Sequence, residues 1–257
     1  MVRLLMKWMH AGVMEDGKLR RTQMGTPQGG IISPLLANIY LHYALDLWVM
    51  SWRKTKARGG VVYLVRYADD FVMGFQFERD ARAMHSALVE RLAKFNLELH
   101  PEKTRVLQFG RYARADRERH GLSKPETFDF LGFTHISGKS RGGGFQLKRR
   151  TSRKKRRASL ARIKEECRRR RHHSEAEQYA WLTSALNGHY RYYGVPSNSR
   201  SLEQFRFHVE RTWHRSLQRR SQRGHWTSAR TTAFRKRFPL PRSRIHHPWP
   251  TQRFAAR

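Results

Sequence analysis

The chain has 257 residues, enough for one large or two small domains with proper cores. Lys and Arg total 53 against 20 Asp and Glu, a formal net charge of +33 that far exceeds what solubility asks for and points to a polyanionic partner. One cysteine, Cys167, excludes an internal disulfide and a cysteine-built zinc cluster, and no apolar run approaches the roughly 18 residues of a membrane span.

The charge is uneven. Residues 1–138 carry a net of +7 and residues 139–257 a net of +26, so most of the positive field lies in the second half. A lone thiol fits a reducing, cytoplasmic setting. Only Leu4-Leu5-Met6 separates Arg3 from Lys7, too short for a signal-peptide core, and there is no internal repeat.

In chain order, Gly12 to Leu19 reads as strand, turn, strand, with Asp16-Gly17 in the turn. The stretch Gly25-Thr26-Pro27-Gln28-Gly29-Gly30-Ile31-Ile32-Ser33-Pro34 follows. Its glycines and prolines predict a fixed, irregular loop whose backbone approaches a ligand closely. A structural turn is the plain alternative; the Gln28 amide, which both donates and accepts, favours recognition. Ser33 and Pro34 make an N-cap and first-turn proline, and Leu35, Leu36, Ile39, Tyr40, Tyr43 and Leu47 carry a helix to about Trp52.

After a basic linker from Lys54 to Gly60, Val61 to Arg66 and Phe71 to Phe75 are apolar runs flanking Tyr67-Ala68-Asp69-Asp70, which reads as a β-hairpin. A tight turn ordinarily wants Asn-Gly or Asp-Gly, and two adjacent aspartates repel each other. They are either solvated turn residues or oxygen donors for a hard cation such as Mg²⁺. The apolar flanks, which suggest strands buried right up to the carboxylates, weaken the first.

A helix is predicted from Arg79 to about Phe95 with Met84, Leu88, Leu92 and Phe95 on one face, then a turn at His100 to Thr104 and a short strand from Arg105 to Phe109. Lys103, taken alone, is a surface lysine. Arg111 to Glu126 reads as loop, and Phe128 to Ile136 as an aromatic strand or hairpin whose side chains are mostly sheet core.

Four glycines between Ser137 and Gly144 place a domain boundary near residue 138. Lys148 to His173 is dense in Arg149, Arg150, Arg153, Lys154, Lys155, Arg156, Arg157, Arg168, Arg169, Arg170 and Arg171. A charge run is often only a solvated face, but this density favours phosphate contact with steeply salt-dependent affinity. Ser174 and Glu177 form a capping box before a helix with Tyr179, Leu182, Leu186 and Tyr190 on one face, closing at Gly194. A further helix from Ser199 turns Leu202, Phe205, Val209, Trp213 and Leu217 inward as bundle core. The tail from Arg219 shows little periodicity and is expected to order on RNA.

The order of these pieces resembles the palm of a reverse transcriptase. Thr26-Pro27-Gln28-Gly29-Gly30, Tyr67-Ala68-Asp69-Asp70, Pro101-Glu102-Lys103-Thr104 and Phe130-Leu131-Gly132-Phe133 carry the likeness. Gly188-His189-Tyr190-Arg191-Tyr192-Tyr193-Gly194 and Trp213-His214-Arg215-Ser216-Leu217 resemble the thumb, or maturase-specific, part of group II intron reverse transcriptases. The likeness runs from about residue 12 to 230. It implies an α+β fold: a partial palm over residues 1–138, an antiparallel sheet with helices, then a helical, basic RNA-binding domain over 139–230 and a basic tail over 231–257.

The resemblance also implies roles. Asp69 and Asp70 would face catalytic Mg²⁺ or Mn²⁺, and Lys103 would lie near the triphosphate. Gln28, Gly29, Gly30, Tyr67 and Ala68 would contact the incoming deoxynucleoside triphosphate and template. Phe130, Leu131, Gly132 and Phe133 would form the primer grip. The basic second half would hold intron RNA, alongside RNA template and DNA primer, with no membrane involved.

One departure stands against these matches. Family members carry another metal-binding aspartate on a strand well upstream of the Pro-Gln-Gly-Gly loop, after a fingers region. Here 26 residues precede Pro27, and their only carboxylates are Glu15 and Asp16 in an apparent turn. Two-metal nucleotidyl transfer needs carboxylates bridging both ions, so the chain alone is expected to be a weak or inactive polymerase. Three readings stay open: a reverse transcriptase/maturase fragment, an RNA-binding splicing factor without polymerase activity, and a decayed retroelement fragment.

Overall fold

Alternating apolar residues build the ribbon at the centre of the first half. In this computed structural model, residues 32–57, 59–221 and 226–249 are described, with Arg3, Lys7 and the backbone of two short strands, β1 (Val13–Glu15) and β2 (Lys18–Arg20). The chain divides into two units, Met1–Leu107 and Gln108–Arg257. Both mix helices with antiparallel sheet, so the fold class is α+β. No described helix is long and apolar enough to cross a membrane.

In the first unit, β1 and β2 pair antiparallel as expected; the Asp16-Gly17 turn and the Gly25 to Ile31 loop, with Gln28, Gly29 and Gly30, lie outside the described residues. The helix after the loop is α1 (Ser33–Leu41), a π-helical turn (His42–Asp46) and α2 (Leu47–Thr55) in succession. Its N-cap is Ile32 rather than Ser33, with no side-chain cap. A π turn widens the hydrogen-bond spacing, and the guanidinium of Arg91 donates to the Ala44 carbonyl at 3.0 Å there.

The hairpin is β3 (Val62–Tyr67) and β4 (Asp70–Phe75), antiparallel, with Val62 opposite Phe75 and Tyr67 opposite Asp70. Period-two alternation sends Val62, Leu64, Phe71, Met73 and Phe75 inward, against Leu45, Val49 and Trp52 of the long helix and Met84, Leu88 and Leu92 of α3 (Glu78–Ala93). The three α3 residues recur every four positions, one face of a helix, as expected. The other face of the ribbon is not buried: Tyr63, Val65 and Tyr67 are 66%, 56% and 66% exposed. The expectation that the strands are covered up to the carboxylates therefore fails on one face. The long helix likewise leaves Leu35, Ile39, Tyr43, Leu47 and Met50 exposed along its outward side.

The strand expected over Arg105 to Phe109 is not formed; this stretch has no ladder partner among the described residues. The expected Arg111–Glu126 loop contains α4 (Ala113–Arg119), braced by an Arg114–Glu118 pair at 2.8 Å.

The second unit opens with a three-stranded antiparallel sheet: β5 (Thr127–Phe130), β6 (Phe133–Lys139) and β7 (Phe145–Thr151). Residue 138 thus falls inside a strand, and the chain divides thirty residues earlier, at Leu107/Gln108. Of the four glycines that signalled a linker, Gly138 lies in β6 and the other three form the β6–β7 turn, with Gly143 at φ +81°.

Helices α5 (Arg153–Arg169), α6 (Glu175–Tyr193) and α7 (Ser199–Gln218) follow. The Ser174–Glu177 capping box forms with both of its hydrogen bonds. Leu182, Leu186, Tyr190, Leu202, Phe205, Val209, Trp213 and Leu217 join Ile163 and Cys167 in one core, as their spacing predicts. Two buried amides knit it. Gln178 donates to the Arg170, Arg171 and His173 carbonyls and accepts from Trp213 Nε1 at 2.8 Å. Asn198 accepts from the Thr151 N–H at 2.9 Å and donates to Thr151 Oγ1 and the Tyr193 carbonyl, tying β7 to the α6–α7 connection.

Within the tail, residues 226–249 are described and pack on the second unit's core. Helix α8 (Ser228–Arg237) places Phe234 in the core, and an extended segment carrying Leu240 follows. Tyr179 and Tyr190 donate to the Pro239 and Pro241 carbonyls, and the His246 and His247 N–H groups donate to the Gly194 carbonyl. A Cβ on Gly194 would sit 2.7 Å from the Arg244 carbonyl, so this close crossing needs glycine. Sparse apolar spacing concealed it, because two tyrosine hydroxyls and backbone groups do much of the anchoring.

Candidate functional site

Strand β3 delivers Tyr67 to the tip of its hairpin, where it pairs with Asp70 and leaves Ala68 and Asp69 as a two-residue loop. Both carboxylates are exposed. Ala68 sits at φ +54°, a left-handed conformation that costs a residue with a Cβ about 1–2 kcal/mol. Something must hold it there.

Arg66, two residues before it, reaches the Ala68 carbonyl. Period two turns it inward, leaving its side chain 13% exposed between ribbon and helix. A buried guanidinium must be paired, and this one has four hydrogen bonds. Nε and Nη2 donate to the Asp46 carboxylate at 2.8 and 2.6 Å, and Nη1 donates to Asn38 Oδ1 at 2.8 Å and to the Ala68 carbonyl at 2.9 Å. Arg66 holds the Asp46 carboxyl below the usual carboxylate range, against the opposing effect of burial. On an unbroken α-helix, residues eight apart are about 80° out of phase; the under-wound π turn between Asn38 and Asp46 brings both toward the same guanidinium. Sequence reasoning missed Asn38, Asp46 and Arg66. Their available signal was polarity at inward positions of otherwise apolar elements.

Lys103 lies exposed in the His100–Thr104 turn of the same unit. No described ion pair joins it to Asp69 or Asp70, and no group of three or more His, Cys, Asp or Glu converges among the described residues.

In the second unit, Phe130 and Phe133 pair across a two-residue turn, with Leu131 at φ +48° and Gly132 at φ +78°. Positive φ at both centres is the geometry that suits the twist of a two-residue hairpin. A Cβ on Gly132 would lie 2.9 Å from the Tyr193 hydroxyl, so glycine is needed for space as well. Tyr192 donates to the Leu131 carbonyl at 2.9 Å and stacks on Phe133, and Ser152 N–H donates to the Gly132 carbonyl. The four residues therefore form one rigid corner beside the start of α5.

The basic run splits in two. Arg168 pairs with Glu165, while Arg169 and Arg170 share Glu166; Arg170 also lies over Trp181, and Arg171 has a buried Nε. At the other end, Arg153, Lys154, Lys155 and Arg157 are exposed, with no carboxylate in ion-pair range among the described residues; Arg156 donates to Gln204. All five sit at the helix N-terminus, whose dipole repels cations, and the first turn has no acid. Arg150 is exposed on β7 just before them, and Arg149 lies over the Phe133 ring.

Cys167 offers no competing chemistry. Burial pushes its thiol up to about 12, the condition of an inert core residue.

An aspartate-tipped antiparallel ribbon backed by helices, followed by a small sheet and a basic helical bundle, is consistent with a partial polymerase palm and a helical region after it. The family profile "Reverse transcriptase (RNA-dependent DNA polymerase)" matches residues 2–135, slightly more than half of the chain, and the chain belongs to that family. It is 53% identical over 51 residues to the group II intron-encoded protein LtrA of Lactococcus lactis subsp. cremoris, covering 20% of this chain and 8% of that protein. It is 46% identical over 41 residues to an uncharacterized 91 kDa protein in the cob intron of Schizosaccharomyces pombe, covering 16% and 5%. Protein YkfC of Escherichia coli K12 is 32% identical, over 40% of this chain and 34% of its own length. Each match thus spans well under two thirds of the relative. The local identity to LtrA supports a group II intron reverse transcriptase/maturase.

Proposed function

We propose that the protein works as the palm and thumb of an RNA-directed DNA polymerase encoded by a group II intron, a reverse transcriptase that also serves as maturase. The observation that carries this reading is the pair of adjacent carboxylates on a turn braced from behind by a buried guanidinium. Carboxylate oxygens suit a hard cation, Mg²⁺ or Mn²⁺. Such an ion, when bound, would stabilise charge on phosphate oxygens during transfer.

Asp69 and Asp70 would supply two carboxylates, and a two-ion site asks for further bridging ligands. Asp69 would be the more direct ligand and Asp70 its neighbour. Lys103 would face the triphosphate; Tyr67 and Ala68, with Gln28, Gly29 and Gly30, would line the nucleotide and template path. The corner Phe130–Phe133 would grip the primer, and the free cations at the start of α5, with Arg149, Arg150 and Arg168–Arg171, would hold intron RNA.

Primer extension on an RNA template with a DNA primer and deoxynucleoside triphosphates tests this reading. Weak extension that disappears in Asp70→Ala is the expected result. Extension that survives Asp70→Ala would remove the turn from the chemistry.

A second reading, an RNA-binding splicing factor without polymerase activity, draws support from the start of α5. Five basic residues at the positive end of a helix dipole disfavour the fold, which fits retention for phosphate contact.

A further inference from the structure

We propose that Arg66, Asp46 and Asn38 form a positioning set that fixes the aspartate turn through the carbonyl of Ala68. The inference deepens the polymerase reading and rests on it for its importance, but the geometry stands on its own.

The turn's own sequence does not favour its shape. Ala68 holds φ +54° without the freedom of glycine, and adjacent carboxylates at Asp69 and Asp70 repel. Without an outside restraint, the two-residue loop would sample other conformations. The restraint is the 2.9 Å hydrogen bond from Arg66 Nη1 to the Ala68 carbonyl. Because the peptide is planar and trans, drawing that carbonyl inward turns the Asp69 N–H outward. The orientation of Asp69 is thereby set by a group three residues before it.

Arg66 can do this only if its guanidinium is itself fixed. A planar fork bound at both Nε and Nη2 by one carboxylate cannot rotate. Asp46 supplies that carboxylate, and His42 Nδ1 lies 3.4 Å from its Oδ2. Asn38 takes the remaining Nη1 direction. The under-winding of the intervening π turn narrows the angle between Asn38 and Asp46 as seen from the guanidinium. Arg91, donating to the Ala44 carbonyl, then keeps the π turn in place.

A merely structural ion pair would stabilise the unit and nothing more, so the test must separate ordering of the turn from stability. In the full chain, residue-resolved amide exchange is compared between wild type, Arg66→Lys, and the double variant Asp46→Arg with Arg66→Asp. Lysine keeps the charge but lacks the planar fork that grips Asp46 at two points while a third nitrogen reaches the Ala68 carbonyl. The double variant keeps an ion pair of opposite polarity, with no donor at position 66. The expected result is exchange at the Asp70 amide, which closes the ladder opposite Tyr67, at least tenfold faster in both variants, with α3 and the strand centres unchanged. The inference is overturned if Arg66→Lys leaves exchange at the turn at the wild-type rate. It is equally overturned if the double variant restores slow exchange there, since the ion pair alone would then suffice.

Mn²⁺ titration followed by water-proton relaxation reads the underlying assignment separately. Wild type should capture Mn²⁺, Asp69→Asn with Asp70→Asn should not, and Arg66→Lys should bind about tenfold more weakly. Wild type that captures no Mn²⁺ would count against the metal site, while the exchange result would still decide the positioning set.

Discussion

Arg66 and Asp46, twenty residues apart in the chain, meet through two hydrogen bonds of 2.8 and 2.6 Å beneath the aspartate turn. With side chains 13% and 21% exposed, the pair is sheltered enough to matter and wet enough that its removal should cost less than that of a fully buried pair. Asp46→Ala should therefore destabilise the first unit by roughly 2–3 kcal/mol in urea unfolding. The Asp46 carboxyl is held low in the folded state, so its contribution is complete above the ordinary aspartate value near 4. It is lost as pH falls through the lowered folded value. Acid unfolding of Asp46→Asn should lack this component; an unchanged acid transition would show that the pair is energetically silent.

Asn198 links β7 to the α6–α7 connection with three hydrogen bonds and is completely buried. Asn198→Ala would orphan the Thr151 N–H and leave a small void. The expected loss is about 3 kcal/mol in the second unit, from one unsatisfied buried donor and two lost bonds. A change under about 0.5 kcal/mol would mean that water replaces the amide without penalty.

Histidine burial sets the pH response of the second unit. Desolvation, helped by the charge of Arg162, pushes His189 down to about 4, and burial also lowers His135 and His214. Below the ordinary value near 6.5 the unfolded chain binds protons that the folded chain refuses, so stability is complete above that value and falls with pH until about 4. Between about pH 7.5 and about pH 5, His189 alone should remove about 2 kcal/mol. Its ring stacks on Phe205 with centroids 3.8 Å apart, so His189→Phe should retain the packing and flatten that slope. An equally steep slope in the variant would assign the effect to other groups.

These elements differ in how far they could be read from the sequence, and the difference is one of range. Met84, Leu88 and Leu92, the Ser174–Glu177 cap and the inward face of α7 are set by neighbours within four residues, and all form as their spacing predicts. The π turn is contacted by Arg66 and Arg91, far along the chain, and no local pattern announces it. Arg105 to Phe109 has the composition of a strand but no partner to pair with. Tyr63, Val65 and Tyr67 have the composition of a covered sheet face and are exposed. Of the candidate site, the aspartates were legible from their motif, whereas the residues that brace them were not, because bracing is a property of three elements meeting.

We propose that the aspartate turn of the first unit serves the chemistry and that the start of α5 in the second unit serves RNA recognition. The most direct test measures RNA affinity against salt for three proteins, using a group II intron RNA. One is wild type, one is Asp69→Ala with Asp70→Ala, and one has Arg153, Lys154, Lys155 and Arg157 changed to Gln. Each lost phosphate contact should lower the slope of log K against log salt by about 0.7–0.9, so the glutamine variant should lose roughly 3 from that slope. Its unfolding should also shift slightly upward, because four cations leave the positive end of a helix dipole. The aspartate variant should bind RNA as wild type does. Equal loss of RNA affinity in both variants would contradict the account.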